Sequence, residues 1–150
     1  MALANAKVEL QKLDLSHNQL SGSVPGSVGE AICSLELLDL SWNKLSSPLP
    51  DSAWARGLHN LRALEMGHNA FNGRALPSVM WKGMRKVVGV GLAQAGLKVR
   101  ISEALAQMRS LRYLDLSSNS FEGQIPATLE QGLLSIVSEL GTADDLFSVW

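Results

Sequence analysis

The segment LQKLDLSHNQLSGSVP, residues 10–25, decides the fold, because its pattern of apolar positions returns along the chain. Further copies begin at Leu35, Leu61, Val87 and Leu111, so successive copies are 25, 26, 26 and 24 residues apart. A fixed period of about 20 to 50 residues is typical of a solenoid, in which each copy stacks on the next. The sequence therefore predicts five stacked copies that share one elongated core.

Apolar and polar residues alternate at the start of each copy, as they do in a half-buried strand. The second and third apolar columns are Leu13, Leu38, Leu64, Val90 and Leu114, and Leu15, Leu40, Met66, Leu92 and Leu116. A short strand that turns these residues inward cannot bury them alone, so it needs a neighbouring copy on either side. This pattern predicts one parallel sheet with the core behind it.

An asparagine stands three places after the third apolar column in four of the five copies. These residues are Asn18, Asn43, Asn69 and Asn119, and Ala95 takes the place in the copy that begins at Val87. An amide at the point where the chain leaves the strand can satisfy backbone groups of adjacent turns. We expect the asparagines to form a structural ladder.

The form Leu-x-x-Leu-x-Leu-x-x-Asn-x-Leu, followed by SGSVP at 21–25 and EGQIP at 122–126, resembles the plant-type leucine-rich repeat. The resemblance implies an α/β fold, a leucine-rich-repeat solenoid forming a horseshoe segment of about five repeats. It also implies a parallel concave sheet and short convex helical turns. Similar repeat regions occur in receptor-like proteins, receptor-like kinases and inhibitors of cell-wall enzymes, which suggests recognition or regulation.

The chain divides into three segments on this interpretation. Residues 1–9 are an N-terminal lead-in without the cysteine cap that the resembling secreted domains usually have, and residues 8–132 hold the repeats. Residues 133–150 suit an amphipathic helix that stops at Gly141. A degenerate sixth repeat that begins at Val137 is the alternative for this last segment.

Charge and cysteine content narrow the possible partners and compartments. The net charge of −1 indicates no bulk attraction to nucleic acid or to a membrane surface. Cys33 is the only cysteine, so the chain has no internal disulfide, and we expect it to be a small buried residue. The sequence as given has no signal peptide or transmembrane segment, which favours an intracellular location, although the resembling family is often secreted or at the membrane.

Basic residues concentrate in one part of the chain. Residues 74–112 contain eight lysines or arginines and a single acid, and three of them, Lys82, Arg85 and Lys86, fall on one predicted convex segment. We expect a solvated convex face there, and a site for an acidic partner is the alternative.

The residues between the buried leucines are expected to line the concave face in columns. The candidate binding surface consists of Lys12, Asp14, His17, Leu37, Asp39, Trp42, Glu65, His68, Tyr113 and Asp115. Trp42 and Tyr113 are the expected apolar anchors, because exposed aromatics often dominate binding. Asp39, Glu65 and Asp115 would set its polarity, although the resembling family commonly shows acids in this column without any ligand.

The copy that begins at Val87 differs from the others, since its concave positions are Gly89, Gly91 and Ala93. Two interpretations follow: a shallow notch that admits a partner side chain, or a decayed and mobile repeat, which we favour here. His17 and His68 belong to repeats two apart, so strands spaced by about 4.8 Å would separate them by about 10 Å. That distance excludes a shared metal ion without a large rearrangement.

No catalytic motif is present in the sequence. The glycines at 91 and 96 are spaced as in a phosphate loop, but Leu97 and Lys98 follow where lysine and a hydroxyl residue are needed. We therefore expect no enzyme activity, no cofactor and no metal. The sequence favours a non-catalytic module that binds a protein or peptide through its concave face. The alternative is a structural spacer, or a truncated fragment of a larger leucine-rich-repeat receptor-like protein, with no ligand of its own.

Overall fold

A computed structural model describes seven ranges and positions of the chain, which are residues 10–25, 33–46, 54, 57–72, 78–98, 100 and 108–122. The strands in this part of the chain are β1 (Lys12–Asp14), β2 (Ser21–Gly22), β3 (Leu37–Asp39), β4 (Lys44–Leu45), β5 (Ala63–Glu65), β6 (Gly89–Gly91) and β7 (Tyr113–Asp115). A 3-10 helix covers Leu58–Asn60 and helix α1 covers Ser78–Gly83. The predicted lead-in at 1–9 and the helix or sixth repeat at 133–150 lie outside the described residues.

Five of the strands form one parallel sheet in the order β1-β3-β5-β6-β7. The register places the second apolar column in a single row, in which Leu38 pairs with Leu13 and Leu64, and Val90 pairs with Leu64 and Leu114. Each strand therefore repeats the position of the one before it. The predicted solenoid with a parallel concave sheet is confirmed.

Strand β6 is regular in spite of its two glycines. Its residues pair with both β5 and β7 in the same register as the other strands, and Val90 is fully buried. A buried β-branched residue between two paired neighbours stabilises a strand even where glycine lowers its propensity. The decayed-repeat hypothesis is therefore wrong for the pairing of this strand, and the amide hydrogens of β6 are held by the sheet.

The chain forms a second line of extended structure after each asparagine position. Strands β2 and β4 pair in parallel, and single parallel bridges join Ser46 to Ala70 and Arg100 to Glu122. These pairings tie neighbouring repeats together on the side where the chain turns towards its convex face.

The core lies between the concave sheet and the convex turns. The leading residues Leu35, Leu61 and Val87 are fully buried, and Trp54 and Met80 are buried on the convex side with them. The 3-10 helix and α1 provide the short helical turns that the resemblance implies. Burial of about 25 cal/mol per Å² of apolar surface makes this continuous stripe the main source of stability.

The first described repeat is less covered than those that follow. Leu10, Leu15 and Leu20 keep between 37% and 40% of their surface exposed. Among the described residues this repeat has a neighbouring repeat on one side only, so its leucines are covered from that side and remain exposed on the other.

Cys33 is exposed, which contradicts the expectation of a small buried residue. It precedes the leading apolar position of its repeat by two residues, and its carbonyl accepts a hydrogen bond from Asn60 Nδ2 at 3.0 Å. The thiol therefore lies at the surface of the turn rather than in the core.

Candidate functional site

A groove of about 240 Å³ opens on the concave face of the sheet. A cavity of this volume can admit a side chain of a partner. The residues that line this groove are Ser16, His17, Asp39, Ser41, Trp42, Glu65, His68, Ala93, Tyr113 and Asp115. All of them lie on or directly after strands of the five-stranded sheet.

Three aromatic rings from successive repeats stack along one edge of the groove. The rings of His17 and Trp42 lie 5.2 Å apart with an angle of 12° between their planes. The rings of Trp42 and His68 lie 3.7 Å apart at 13°. Trp42 remains half exposed, with 50% of its surface accessible, because both faces of its indole are covered while its edge meets solvent.

The stack follows from an unusual backbone conformation at this position of every repeat. The residue before the asparagine position has a positive φ of 50° to 54° in all five copies, which are His17, Trp42, His68, Gln94 and Ser118. A residue with a side chain in this left-handed region costs about 1 to 2 kcal/mol. Because the repeats stack with one register and one conformation, these side chains leave the backbone in the same direction and meet their neighbours.

The acidic column has a structural role in each repeat that contains it. One carboxylate oxygen accepts a hydrogen bond from the backbone N–H two residues later, at 2.9 Å for Asp14, 2.8 Å for Asp39, 3.0 Å for Glu65 and 2.9 Å for Asp115. This bond closes the turn at the end of the strand. The scaffold explanation of the acids is therefore supported for one oxygen of each carboxylate.

Glu65 occupies part of the notch that the sequence suggested beside Gly91. A Cβ atom at position 91 would overlap Oε2 of Glu65, so the carboxylate lies over the neighbouring strand β6 where a side chain would otherwise stand. Gly67 is also close, because a Cβ there would lie 2.8 Å from the carbonyl oxygen of Ala93 and 2.9 Å from Oε1 of Glu65. Two glycines thus create the space that the carboxylate takes.

The surroundings of Glu65 change its acidity. Burial is the largest cause that raises the pKa of the Glu65 carboxyl from 4.5 to about 7, and the carboxylates of Asp39 and Asp115 act in the same direction. The hydrogen bond from the Gly67 N–H opposes the rise. At the outer end of the column, hydrogen bonds from the hydroxyl and the N–H of Ser16 hold the pKa of Asp14 below its ordinary value of 3.8.

The structure brings most of the predicted surface together in one groove. Its lining contains seven of the ten predicted residues, which are His17, Asp39, Trp42, Glu65, His68, Tyr113 and Asp115. Lys12 and Asp14 are exposed on β1 but lie outside the lining. Leu37 is only 8% exposed, so its place on the predicted surface was wrong.

The candidate binding surface left out Ser16, Ser41 and Ala93, which also line the groove. They form the column directly after the third row of leucines, and the alternation of the strand already placed that column on the concave side. Their small size gave no signal of binding, and only the cross-repeat geometry shows that Ser41 is buried at the base of the groove.

Two further features concern metals and membranes. No three His, Cys, Asp or Glu side chains in the described ranges form a group that could hold a metal ion. Within the same ranges, no helix combines the length and apolar character needed to cross a bilayer.

Repeat period, parallel sheet and concave groove together define a leucine-rich-repeat solenoid. Residues 8–71 and 110–131 match family models described as Leucine rich repeat. The chain belongs to the leucine-rich-repeat family, and its repeats are of the plant type, which confirms the resemblance seen in the sequence.

Several plant proteins are similar to the chain. Receptor-like protein 13 of Arabidopsis thaliana is 35% identical over 128 residues, which cover 85% of this chain and 12% of that protein. The plant peptide hormone receptor RGFR1, solved in complex with RGF2, has a TM-score of 0.73 at 32% identity, covering 85% of this chain and 19% of that one. A chain of the BIR3–SERK2 complex from Arabidopsis thaliana has a TM-score of 0.71 at 31% identity, covering 79% and 61%. The chain thus spans a small part of the curated relative's length.

Proposed function

We propose that this chain is a non-catalytic module that binds a protein or peptide through its concave groove, with a role in recognition or regulation. The observation that carries the proposal is the stack of His17, Trp42 and His68, which presents a fixed and half-exposed indole beside a groove of side-chain size.

A fixed aromatic is an efficient anchor because little conformational entropy is lost when a partner covers it. Rings on both sides hold the indole of Trp42, so its orientation is set before a partner arrives. A partner meets the outer edge of the indole and the neighbouring groove. Tyr113 completes the opposite end, where its hydroxyl donates to Asp115 Oδ2 at 3.3 Å.

The similar structures support a protein or peptide as the kind of partner. One of them is a peptide hormone receptor in complex with RGF2, and another is a complex between BIR3 and SERK2. Both are leucine-rich-repeat neighbours above 30% identity, and both were solved with a partner. That this chain also binds a protein or peptide is our proposal.

The proposal can be tested with peptides that are selected from a display library for binding to the full chain. Replacing Trp42 with Ala, or Tyr113 with Ala, should weaken the selected peptides by more than about 1 kcal/mol each, about fivefold in Kd, because each removes an aromatic anchor. Isothermal titration calorimetry measures the change. Gln94→Ala is the matched control, since Gln94 shares the backbone conformation of Trp42 but lies outside the groove lining.

Unchanged affinity in both aromatic variants would contradict the proposal. In that case the basic convex segment of Lys82, Arg85 and Lys86 becomes the better candidate, since all three residues are exposed there. Lys86 Nζ donates to Asn60 Oδ1 at 2.8 Å, which also links this segment to the preceding repeat.

A structural spacer is the second candidate function, and the exposure of Leu10, Leu15 and Leu20 favours it. A solenoid face with exposed leucines is suited to stacking on further repeats. Light scattering on the purified chain separates the candidates, because a spacer would associate as its concentration rises and a self-sufficient binding module would stay monomeric. An intracellular location stays a prediction from the sequence.

A further inference from the structure

We propose that the groove binds a cationic side chain of its partner, a guanidinium or an ammonium group, seated on Ser41 between the carboxylates of Asp39 and Glu65. The inference rests on the proposed function, because it takes the concave face as the binding surface, and it adds the chemistry of the group that enters.

The charge of the groove is the first argument. Three carboxylates line it, those of Asp39, Glu65 and Asp115, and its lining contains no lysine or arginine. The two ion pairs of the described residues join other acids, since Arg62 lies 3.6 Å from Glu36 and Lys98 lies 3.8 Å from Glu122. A cation in the groove would relieve the repulsion that the ionised acids exert on one another, and it would favour the charged form of Glu65.

Ser41 is the second and independent argument. It is 5% exposed and lines the groove, and its backbone N–H donates to Asp39 Oδ1 at 2.8 Å. Its hydroxyl makes no hydrogen bond to any residue in the part of the chain that the structure describes. A hydroxyl oxygen accepts hydrogen bonds from guanidinium and ammonium groups.

The position of the Glu65 side chain leaves room for the cation. Its carboxylate lies over Gly91 on β6, rather than over its own strand β5. Oε1 of Glu65 also accepts from the Gly67 N–H at 3.0 Å, so the carboxylate covers Gly67 as well and the open part of the groove is the side lined by Ser41. The surface between Ser41 and the Glu65 carboxylate is therefore open to the groove, with Trp42 and His68 beside it.

The spread of the carboxylates favours an organic cation over a metal ion. Asp39 and Asp115 are three strand spacings apart in the sheet, about 14 Å at about 4.8 Å per strand. No group of three metal-ligating side chains forms among the described residues. A long side chain with a charged end can reach Ser41 from the mouth of the groove, whereas one small ion cannot contact acids so far apart.

Two peptides that differ in a single charge test the inference. We would titrate the full chain with acetyl-Gly-Ser-Arg-Ser-Gly-amide and with the same peptide carrying citrulline, which keeps the shape of arginine without its charge. Amide chemical shifts in NMR report the site. We expect shifts at Ser41, Gly67 and Gly91, and binding of the arginine peptide at least tenfold tighter than that of the citrulline peptide.

Variants distinguish binding at the site formed by Asp39 and Ser41 from non-specific attraction to the acidic residues of the molecule. Asp39→Asn and Ser41→Ala should each weaken the arginine peptide at least threefold. Asp14→Asn is the matched control, because Asp14 belongs to the same acidic column but lies outside the groove lining. We expect Asp14→Asn to leave the affinity within twofold of the unmodified chain.

Three results would overturn the inference: equal binding of the two peptides, shifts confined to other surfaces, or no shift up to about 10 mM peptide. The proposed function has a separate test. In that test, library peptides could bind in a way that requires Trp42 but requires no lysine or arginine of the peptide. That result would support the concave groove as a binding surface and would reject only the proposed site for a cationic side chain.

Discussion

Glu65 and Gly91 lie on adjacent strands, and the carboxylate of the first takes the space that a side chain on the second would need. The sequence shows the gap at Gly91, which allowed a notch to be predicted. It does not show which neighbour fills the gap, because that depends on the rotamer of a residue 26 positions earlier. At the scale of single residues, the sequence therefore did not predict that the Glu65 side chain of one repeat fills the space over Gly91 of the next.

The raised pKa of Glu65 predicts how stability depends on pH. An acid that binds its proton more tightly in the folded chain than in the unfolded chain stabilises the fold most below its unfolded pKa. The free energy of unfolding should therefore fall as pH rises from about 4.5 through about 7. The loss is up to about 3 kcal/mol, since one pKa unit equals about 1.4 kcal/mol.

Glu65→Gln should remove this part of the pH dependence, since the amide cannot ionise but can still accept from the Gly67 N–H. Urea unfolding at a series of pH values measures it, with Glu36→Gln as a control because that side chain is 43% exposed. Parallel stability profiles for the unmodified chain and Glu65→Gln would contradict the prediction.

Gly91→Ala should move the Glu65 carboxylate rather than unfold the strand. The added methyl group takes the position of a flexible side-chain end, and alanine fits the conformation of a strand. Once displaced towards solvent, the carboxyl should lose its burial, so its pKa should fall from about 7 towards 4.5. Carbon-13 NMR of labelled glutamate side chains follows the titration. An unchanged titration of Glu65 would show that Gly91 does not control the carboxylate.

The asparagine turns are the elements that join one repeat to the next. Asn69 Nδ2 donates to the carbonyl of Leu40 at 3.0 Å, and Asn69 Oδ1 accepts from the N–H of Leu45 at 3.0 Å. Asn43 and Asn119 reach the preceding repeat in the same way. At Ala95 the backbone carbonyl accepts from the N–H of Phe71 at 3.1 Å, so this element keeps the link without an asparagine.

Asn69→Ala should destabilise the fold by about 2 to 4 kcal/mol, because it leaves inter-repeat backbone groups without partners. Asn18→Ala is the matched control, since the described bonds of Asn18 reach only carbonyls of its own repeat, Leu15 and Ser16. We expect less than about 1 kcal/mol for the control. Urea unfolding followed by circular dichroism compares them, and equal losses would contradict a ladder that joins repeats.

Side-chain direction within these turns was not predictable from the repeat pattern. The pattern placed His17, Trp42 and His68 in one column, but their stacking requires the left-handed backbone at each position. Tryptophan carries no sequence signal for that conformation, and histidine, although enriched there along with asparagine and aspartate, is too weak a signal by itself. The conformation becomes evident only when the turns of successive repeats are seen together.

The whole molecule was the most predictable scale, because a fixed period and strand alternation are properties of the backbone that every copy repeats. Five leading apolar residues predicted the order and register of the sheet. The solvent exposure of individual side chains was less predictable, since it depends on which side chains of other repeats pack over them. For that reason Cys33 was expected to be buried and is exposed, while Leu37 was expected to be exposed and is buried.

The concave groove as the binding surface is the central claim for the molecule as a whole. Hydrogen–deuterium exchange of the full chain, with and without a peptide selected for binding, tests it most directly. We predict slower exchange at residues 39–42, 65–68 and 113–117 in the complex, with residues 78–86 unchanged. Protection confined to residues 78–86, with the groove exchanging as in the free chain, would contradict the account.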